Sequence, residues 1–239
     1  MSAAKASNAS EISVLLRGES EPIAAWTEQW SARRFWLHVG VIIVGAGLYG
    51  AAMGWWRDPQ QALFVAIKFP LIILLTTVGN ALLNAMLAPL LGLNIHFRQS
   101  FSAVLMSFAV ASAILGAFSP VTAFMIWNAP PMSPGAVSSA TYGIIKLTHV
   151  AVIAFAGTTG NARLFQLLTR LGGSRTVARR VLFAWLAGNL FLGTQLSWIL
   201  RPFIGSPALP VELLRATAFH GNFYENIFHS LLQILQQFD

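Results

Sequence analysis

The feature that most constrains this chain is a series of five long runs of apolar residues. They cover residues 35–56, 62–87, 101–127, 136–157 and 181–200, and the fourth pattern continues towards Leu171. A helix of about 20 residues, rising ~1.5 Å per residue, crosses the ~30 Å hydrocarbon core of a bilayer. Only helices or closed barrels satisfy the backbone in lipid, and these runs are far longer than barrel strands. The sequence therefore predicts five transmembrane helices.

The composition agrees with a membrane protein. Of the 239 residues, 56% are hydrophobic and 10% are charged, whereas a soluble domain has about 25% charged residues. The net charge of +7 does not indicate nucleic-acid binding, because the basic residues lie in short loops beside the apolar runs. The predicted fold class is an all-α integral membrane protein, with five transmembrane helices in a compact bundle and an amphipathic helix at each terminus.

The basic residues are distributed unequally between alternate loops. Ten lie in the leader, in the loop between the second and third runs, and in the connection between the fourth and fifth; three lie in the remaining loop segments and the tail. The positive-inside rule then predicts an inner-membrane protein with a cytoplasmic N-terminus and an extracytoplasmic C-terminus. No cleavable signal peptide is evident, so we expect the first span to act as a signal anchor.

These patterns divide the chain into a cytoplasmic leader at 1–34, a transmembrane domain at 35–200 and an extracytoplasmic tail at 201–239. Ser20 is expected to cap a helix that runs through IAAWTEQWSARR into the first span. In the tail, apolar residues at 223, 227, 228, 231, 232, 235 and 238 predict an amphipathic helix. We expect that helix to lie on the outer membrane surface or on the outer ends of the spans, with a soluble partner as the alternative.

Two lysines lie within the predicted spans, where a charged side chain costs about 2.5–3.5 kcal/mol. Lys146 lies near mid-depth of the fourth span, with Tyr142 one turn before it and His149 one turn after it on the same face. We expect Lys146 to point into the bundle, either satisfied by polar neighbours or as part of a site for an anionic ligand, a proton step or a lipid headgroup. Lys68 lies nearer the outside, where it can snorkel to the interface or take part in such a site.

Polar and small residues recur at four-residue spacing in several spans. Thr76, Asn80 and Asn84 form a polar stripe, which indicates either interhelical hydrogen bonds or a polar conduit. Small residues at the same spacing predict close helix packing, and they occur at Ala46, Gly50 and Gly54, at Ala109, Ala113 and Ala117, and at Asn189, Gly193 and Ser197.

The segment after the fifth span is predicted to be irregular. Arg201-Pro202 ends the helix, because proline disfavours helix at the residue before it. Arg201 is expected to face outward at the bilayer edge. We further expect Glu225 or Glu212 to approach Arg201 or Lys68, so that the tail folds back onto the bundle.

The catalytic and metal-binding motifs that we sought do not occur. The chain has no cysteine, which excludes disulfides and thiolate sites, and it has no paired carboxylates, HExxH, phosphate-binding loop or nucleophile elbow. A bis-histidine haem needs two deep histidines, and only His149 is deep. We therefore predict no enzyme activity, catalytic residue, metal or cofactor, and we keep haem or pigment binding through His149 as an outside alternative.

Several stretches resemble one family of bacterial polytopic membrane proteins without an assigned activity. They are QLSWILRPFIGSP at 195–207, NFYE at 222–225, LLRGE near residue 15 and AIKFPLIILLT in the second span. The five-span layout is also similar to that of Yip1-domain proteins, which are membrane-trafficking scaffolds. The first resemblance implies a single constellation on the outer side, formed by Lys68, Gln195, Trp198, Arg201, Asn222 and Glu225.

These observations leave two main hypotheses for function. The first is a non-enzymatic subunit or scaffold of a membrane complex, whose partners are the lipid bilayer, other membrane subunits or further copies of the chain, and not nucleic acid. The second is a transporter or channel with a polar path near Lys146, Lys68 and Asn80. Co-purification of a stoichiometric partner favours the first, and solute flux into proteoliposomes favours the second.

Overall fold

The computed structural model describes residues 8–132, 139–206, 210–226 and 228, and the part it describes is helical without strands. Seven helices follow one another: α1 (Asn8–Arg17), α2 (Ser20–Glu28), α3 (Ala32–Trp55), α4 (Pro59–Leu90), α5 (Phe97–Trp127), α6 (Ser139–Gly172) and α7 (Arg175–Leu200). The last five are long and apolar enough to cross a membrane. Their bounds overlap all five predicted runs, so the all-α fold class and the number of candidate spans are confirmed.

Short connections join the five long helices into an up-and-down bundle. Asp58 precedes α4 and accepts a hydrogen bond of 2.7 Å from the backbone N–H of Gln60, while Pro59 takes the first helical position. Ser174 caps α7 in the same way through the N–H of Thr176. We call the end of the bundle at which α3, α5 and α7 finish the distal end, and the opposite end the proximal end.

Glycines set the closeness of α3 to its neighbours. A Cβ atom at Gly50 would lie 2.6 Å from the Val65 carbonyl oxygen, and one at Gly54 would lie 2.7 Å from that of Gln61. The predicted packing series of α3 is thus a real contact with α4. In α5 the series fits less well, because Ala117 is exposed and Gly116 makes the close approach to α3 instead.

The interior divides into a large proximal cluster and smaller distal ones. The proximal cluster includes Trp185, Ile42 and Val104 from three different helices. A distal cluster, centred on Tyr49 and Met53, is completed by half-buried apolar residues that come after α7. The segment that follows the last long helix is therefore part of the packed bundle.

The N-terminal region corrects one prediction. Two helices are present where one was expected: Glu19, not Ser20, occupies the N-cap position of α2, and α2 ends at Glu28 before α3 begins at Ala32. The leader does not run continuously into the first span. Instead, Leu15 of α1 and Ile23 of α2 are buried in the proximal core.

Ion pairs hold α1 and α2 against the proximal end. The Arg33 guanidinium lies 2.6 Å from the Glu11 carboxylate, and that of Arg170 lies 3.0 Å from the Glu21 carboxylate. Arg163 donates to the backbone oxygen of Leu16 at 3.0 Å. Arginines at the proximal end therefore bind α1 and α2.

The tail is described only in part. Residues 223–226 and 228 are helical, which agrees with the beginning of the predicted amphipathic helix. The remaining apolar positions of that prediction, at 227, 231, 232, 235 and 238, lie outside the described residues.

Candidate functional site: the fold-back segment and the α4–α7 cavity

Residues 201–206, here called the fold-back segment, turn into the bundle directly after α7. Arg201-Pro202 ends α7 as predicted, and the next residues are irregular and half-buried. Phe203 and Ile204 pack against the Tyr49 cluster, and the Phe203 ring lies 6.3 Å from that of Phe69, edge to face. This packing brings irregular backbone into an apolar interior, where its polar groups need partners.

Two polar side chains of α4 supply those partners. The Gln61 amide donates to the carbonyl oxygens of Pro202, at 2.9 Å, and Phe203, at 3.1 Å. The Lys68 ammonium donates to the Pro202 oxygen at 3.4 Å and to the Glu212 backbone oxygen at 3.1 Å. Both side chains are fully buried.

This geometry corrects the expectation for Lys68. The ammonium does not snorkel along its stem to the surface, because only 1% of the residue is exposed. Glu212 does approach it, but through the backbone carbonyl. Among the described residues, no carboxylate lies within ion-pair distance of Lys68. Carbonyl dipoles, not a counter-ion, stabilise this charge.

Further donors hold the rest of the segment. The Arg215 guanidinium donates to the Arg201 oxygen at 3.2 Å and to the Trp198 oxygen at 3.5 Å, which satisfies carbonyls left open at the end of α7. The Tyr142 hydroxyl donates to the Gly205 oxygen at 3.0 Å. Side chains from α4, α6 and the tail thus converge on one short stretch of backbone.

Arg201 and Trp198 form a cation–π pair at the distal end. The guanidinium carbon lies 3.0 Å from the centre of the Trp198 ring. Burial lowers the pKa of Arg201 below its usual value, and repulsion from the Arg215 charge lowers it further. The expected carboxylate partner is absent from the part of the chain that the structure describes: neither Glu212 nor Glu225 forms an ion pair with Arg201 there.

Asn222, Glu225 and Gln195 meet where the tail helix begins. The Asn222 side chain accepts from the Glu225 N–H at 2.9 Å and donates to the Glu225 carboxylate at 3.3 Å, as a helix cap does. The Gln195 side chain accepts from the Phe223 N–H at 3.4 Å. These three residues position the tail against α7, so the implied constellation is divided between a helix start and the fold-back segment.

The prediction that Lys146 points into the bundle is wrong. Lys146 is exposed on α6, and the inward face of that helix carries Ile145 and His149 instead. The ring nitrogen Nδ1 of His149 lies 2.9 Å from the Tyr49 hydroxyl, and the two rings meet edge to face. His149 therefore has a structural partner on α3, and Lys146 does not share its surroundings.

The polar stripe of α4 is buried between helices. Asn80 donates to the Asn189 side chain at 2.6 Å and to the Trp185 carbonyl at 3.3 Å, which joins α4 to α7. Thr76 and Asn84 are buried as well, and neither side chain has a hydrogen-bond partner in the described part of the chain. The stripe thus contains both an interhelical bond and open polar groups.

A cavity of about 600 Å³ lies between α4, α5, α6 and α7 and reaches the distal end. Most of its wall is apolar; its polar lining comes mainly from α7, and the Arg201–Trp198 pair and Phe223 stand at its distal mouth. The small residues Gly193 and Ser197 line it, so the third packing series opens a space where close helix contact was predicted. Its size falls in the range of about 300–1,000 Å³ typical of small-molecule sites.

Sequence reasoning missed two residues of this region and the cavity itself. Gln61 lies in the first turn of α4, where a polar residue is common at a membrane boundary. Arg215 was counted only among the basic residues of the tail. The sequence did predict irregular backbone after Arg201-Pro202, and the carbonyls of such a segment must find donors. Comparisons of the chain with protein-family models, curated proteins and solved structures found no match.

Proposed function

We propose that the chain is a non-enzymatic, multi-pass inner-membrane protein that holds an apolar or amphipathic molecule in the α4–α7 cavity, as a binding subunit or scaffold of a membrane complex. One observation carries this proposal: a cavity of about 600 Å³ with apolar walls that opens beside a cation–π pair. A bundle that only needed to be compact would fill such a space with side chains.

Insertion in a bilayer is supported by the outer surface of the helices. Large apolar side chains are exposed along α4 and α6, where water would disfavour them and lipid would not. Examples are Leu63 at 59%, Leu82 at 53% and Ile144 at 64% exposure. The exposed Trp36 and Trp127 stand at opposite ends of the bundle, where tryptophan favours the headgroup level. The charge distribution between loops supports a cytoplasmic proximal end.

The transporter alternative has less support. The three residues that were to line its path are separated: Lys146 is exposed, Lys68 binds the fold-back segment, and Asn80 bonds α7. A haem site through His149 has less support too, because its ring is buried, packs edge to face on Tyr49 and does not line the α4–α7 cavity. Binding without transport is therefore the function that the geometry favours.

Two glycines of α6 provide a matched test of the cavity. A Cβ atom added at Gly157 or at Gly143 would meet nothing within 4 Å, and only Gly157 lines the cavity. We expect the purified protein to carry about one amphiphile per chain, quantified by mass spectrometry after solvent extraction. Gly157→Leu should lose it and Gly143→Leu should keep it. Equal contents in the two variants would overturn the proposal.

The complex itself is tested separately. Mild solubilisation of a tagged chain from its native membrane should recover a membrane partner, or a further copy, in a fixed ratio. Recovery of monodisperse single chains, with no partner at any detergent concentration, would remove the subunit part of the proposal and leave the cavity unaffected.

A further inference from the structure

We propose that the occupant of the cavity is an anionic amphiphile, with its headgroup at the Arg201–Trp198 pair and its acyl chain directed inward along α7. This inference rests on the proposed function and adds the chemical class of the ligand. It is carried by three properties of the cavity: an arginine at its mouth without a carboxylate partner among the described residues, walls that are mostly apolar, and a depth that an acyl chain can enter.

The charge at the mouth is positive, and the described residues supply no carboxylate in contact with it. Lys68, Arg201 and Arg215 gather around the end of α7, close enough for Arg215 to repel Arg201. None of the three lies within 4.0 Å of a carboxylate of the described residues. Of the three, only Arg201 lines the cavity, and the two positive charges behind it add to a potential that attracts an anion.

Two of these cations are occupied and one is not. Lys68 and Arg215 donate to backbone carbonyls, as described above. The Arg201 guanidinium lines the cavity, and among the described residues it stacks on Trp198 without donating a hydrogen bond. A guanidinium fork at the mouth of an apolar cavity suits the oxygens of a phosphate.

The cavity is deep enough for an acyl chain. Its α7 wall extends from Arg201 inward to Leu186, which at 1.5 Å per residue is about 22 Å, within a hydrocarbon core of ~30 Å. Ser197 lies one turn inward from Arg201, about 6 Å along the helix axis, where the ester of a glycerolipid would meet a hydroxyl. Below it the walls are largely apolar, and Gly193 leaves the path open.

A soluble anion fits this site less well than a lipid does. A free phosphate would use only the mouth and leave about 600 Å³ of mainly apolar space unfilled. A zwitterionic lipid would bring a cation towards three positive side chains. An anionic headgroup on an acyl chain is the one arrangement that uses both the charge and the apolar depth.

The test compares three ligands that separate head from tail. They are dioleoyl phosphatidylglycerol, dioleoyl phosphatidylcholine and soluble glycerol 3-phosphate, each titrated into the delipidated full chain in a neutral detergent, with binding followed by native mass spectrometry. We expect the anionic lipid to bind about tenfold or more tightly than the zwitterionic one. A charge-assisted bidentate hydrogen bond can account for a difference in affinity of that size. Glycerol 3-phosphate should not bind measurably.

The variants separate the Arg201 contact from general charge. Arg201→Gln should remove the preference for the anionic lipid, while Arg179→Gln, which removes an exposed arginine at the other end of the same helix, should retain it. Arg201→Lys should restore part of the preference, because it keeps the charge and loses the fork. Should Arg201→Gln not fold, the reduced preference of Arg201→Lys relative to the unmodified chain carries the comparison.

Each contrary result has a defined meaning. Equal binding of both lipids, with loss in Gly157→Leu, would overturn the anionic headgroup and leave the proposed function standing. An equal effect of Arg179→Gln and Arg201→Gln would assign the preference to net charge and refute the site. Binding of glycerol 3-phosphate as tight as that of the lipid would make the ligand a soluble anion. Absence of binding by any lipid would refute the inference and the proposed function together.

Discussion

The Lys68 ammonium lies 3.1 Å from the backbone oxygen of Glu212, a residue 144 positions later in the chain. It is one of two lysines within the long helices, and it is the buried one, whereas Lys146 is exposed. A buried cation that binds carbonyl oxygens of the tail is stabilised without a counter-ion. The contact also fixes the tail, so the chain after α7 is part of the bundle and closes its distal end.

Replacing Lys68 by methionine should loosen this closure. Lys68→Met keeps the length of the side chain and removes the donor to the Pro202 and Glu212 oxygens. We expect a loss of about 2 kcal/mol of stability, because a hydrogen bond to a charged group contributes about 1.5–3 kcal/mol. For a chain of this size the melting temperature should fall by roughly 4–8 °C, and a protease should cut the 207–216 stretch sooner.

Lys146→Met is the matched control for that experiment. It makes the same chemical change on an exposed lysine of the same bundle, so the melting temperature should change by less than about 2 °C. A stabilised Lys68→Met protein would show that the carbonyl contacts do not offset the desolvation of the ammonium.

The two asparagines of α4 should respond in opposite ways to leucine. Asn80→Leu removes the amide that bonds the Asn189 side chain and the Trp185 carbonyl, and it leaves buried groups open at a cost of about 1–3 kcal/mol. Asn84 is equally buried, but its amide has no hydrogen-bond partner in the described structure. Asn84→Leu should therefore leave the melting temperature unchanged or raise it.

Leucine has the same branching and number of heavy atoms as asparagine, and both variants add the same bulk, so the pair compares hydrogen bonding at an equal change in volume. The measurement is thermal unfolding of both variants in one detergent. A marked destabilisation by Asn84→Leu would mean that this amide binds a polar group, such as an ordered water. Labelling that reports solvent access at this position would then test for the water.

The bond between Tyr49 and His149 is predicted to be structural. Tyr49→Phe removes the hydroxyl that lies 2.9 Å from the His149 ring and leaves the ring packing in place, so stability should fall by about 1 kcal/mol. Tyr224→Phe loses an exposed hydroxyl bonded to Thr194 and should have almost no effect. If the purified wild-type protein has a visible absorption band and Tyr49→Phe abolishes it, the result would instead support pigment binding through His149.

Periodicity and apolar length were sufficient to predict the five long helices, because a bilayer-spanning helix is specified by local sequence. Capping chemistry placed the start of α2 one residue late, at Ser20, because the residue at the observed N-cap, Glu19, makes no side-chain capping hydrogen bond that sequence could have signalled. Local patterns therefore determined the helices but not the break between α2 and α3.

Side-chain direction could not be obtained in the same way. Lys146 and His149 share a face by their spacing, yet the rotation of α6 buries His149 and exposes Lys146, and that rotation depends on contacts with α3 and α5. The cavity could not be predicted for the same reason. Small residues such as Gly193 and Ser197 are compatible with close helix packing and equally with the wall of a cavity. Polar partners such as Gln61 became evident only once the fold-back segment lay beside them.

The orientation of the bundle is the last prediction. The chain has no cysteine, so single cysteines can be introduced at exposed loop positions: Pro131 at the distal end and Asn94 at the proximal end. Because basic residues are concentrated in the proximal loops, we expect a membrane-impermeant maleimide to label Pro131→Cys in intact cells and Asn94→Cys only after lysis. Labelling of both in intact cells would mean mixed insertion, and the reversed pattern would place Arg201 on the cytoplasmic leaflet and make its anionic lipids the ones to test.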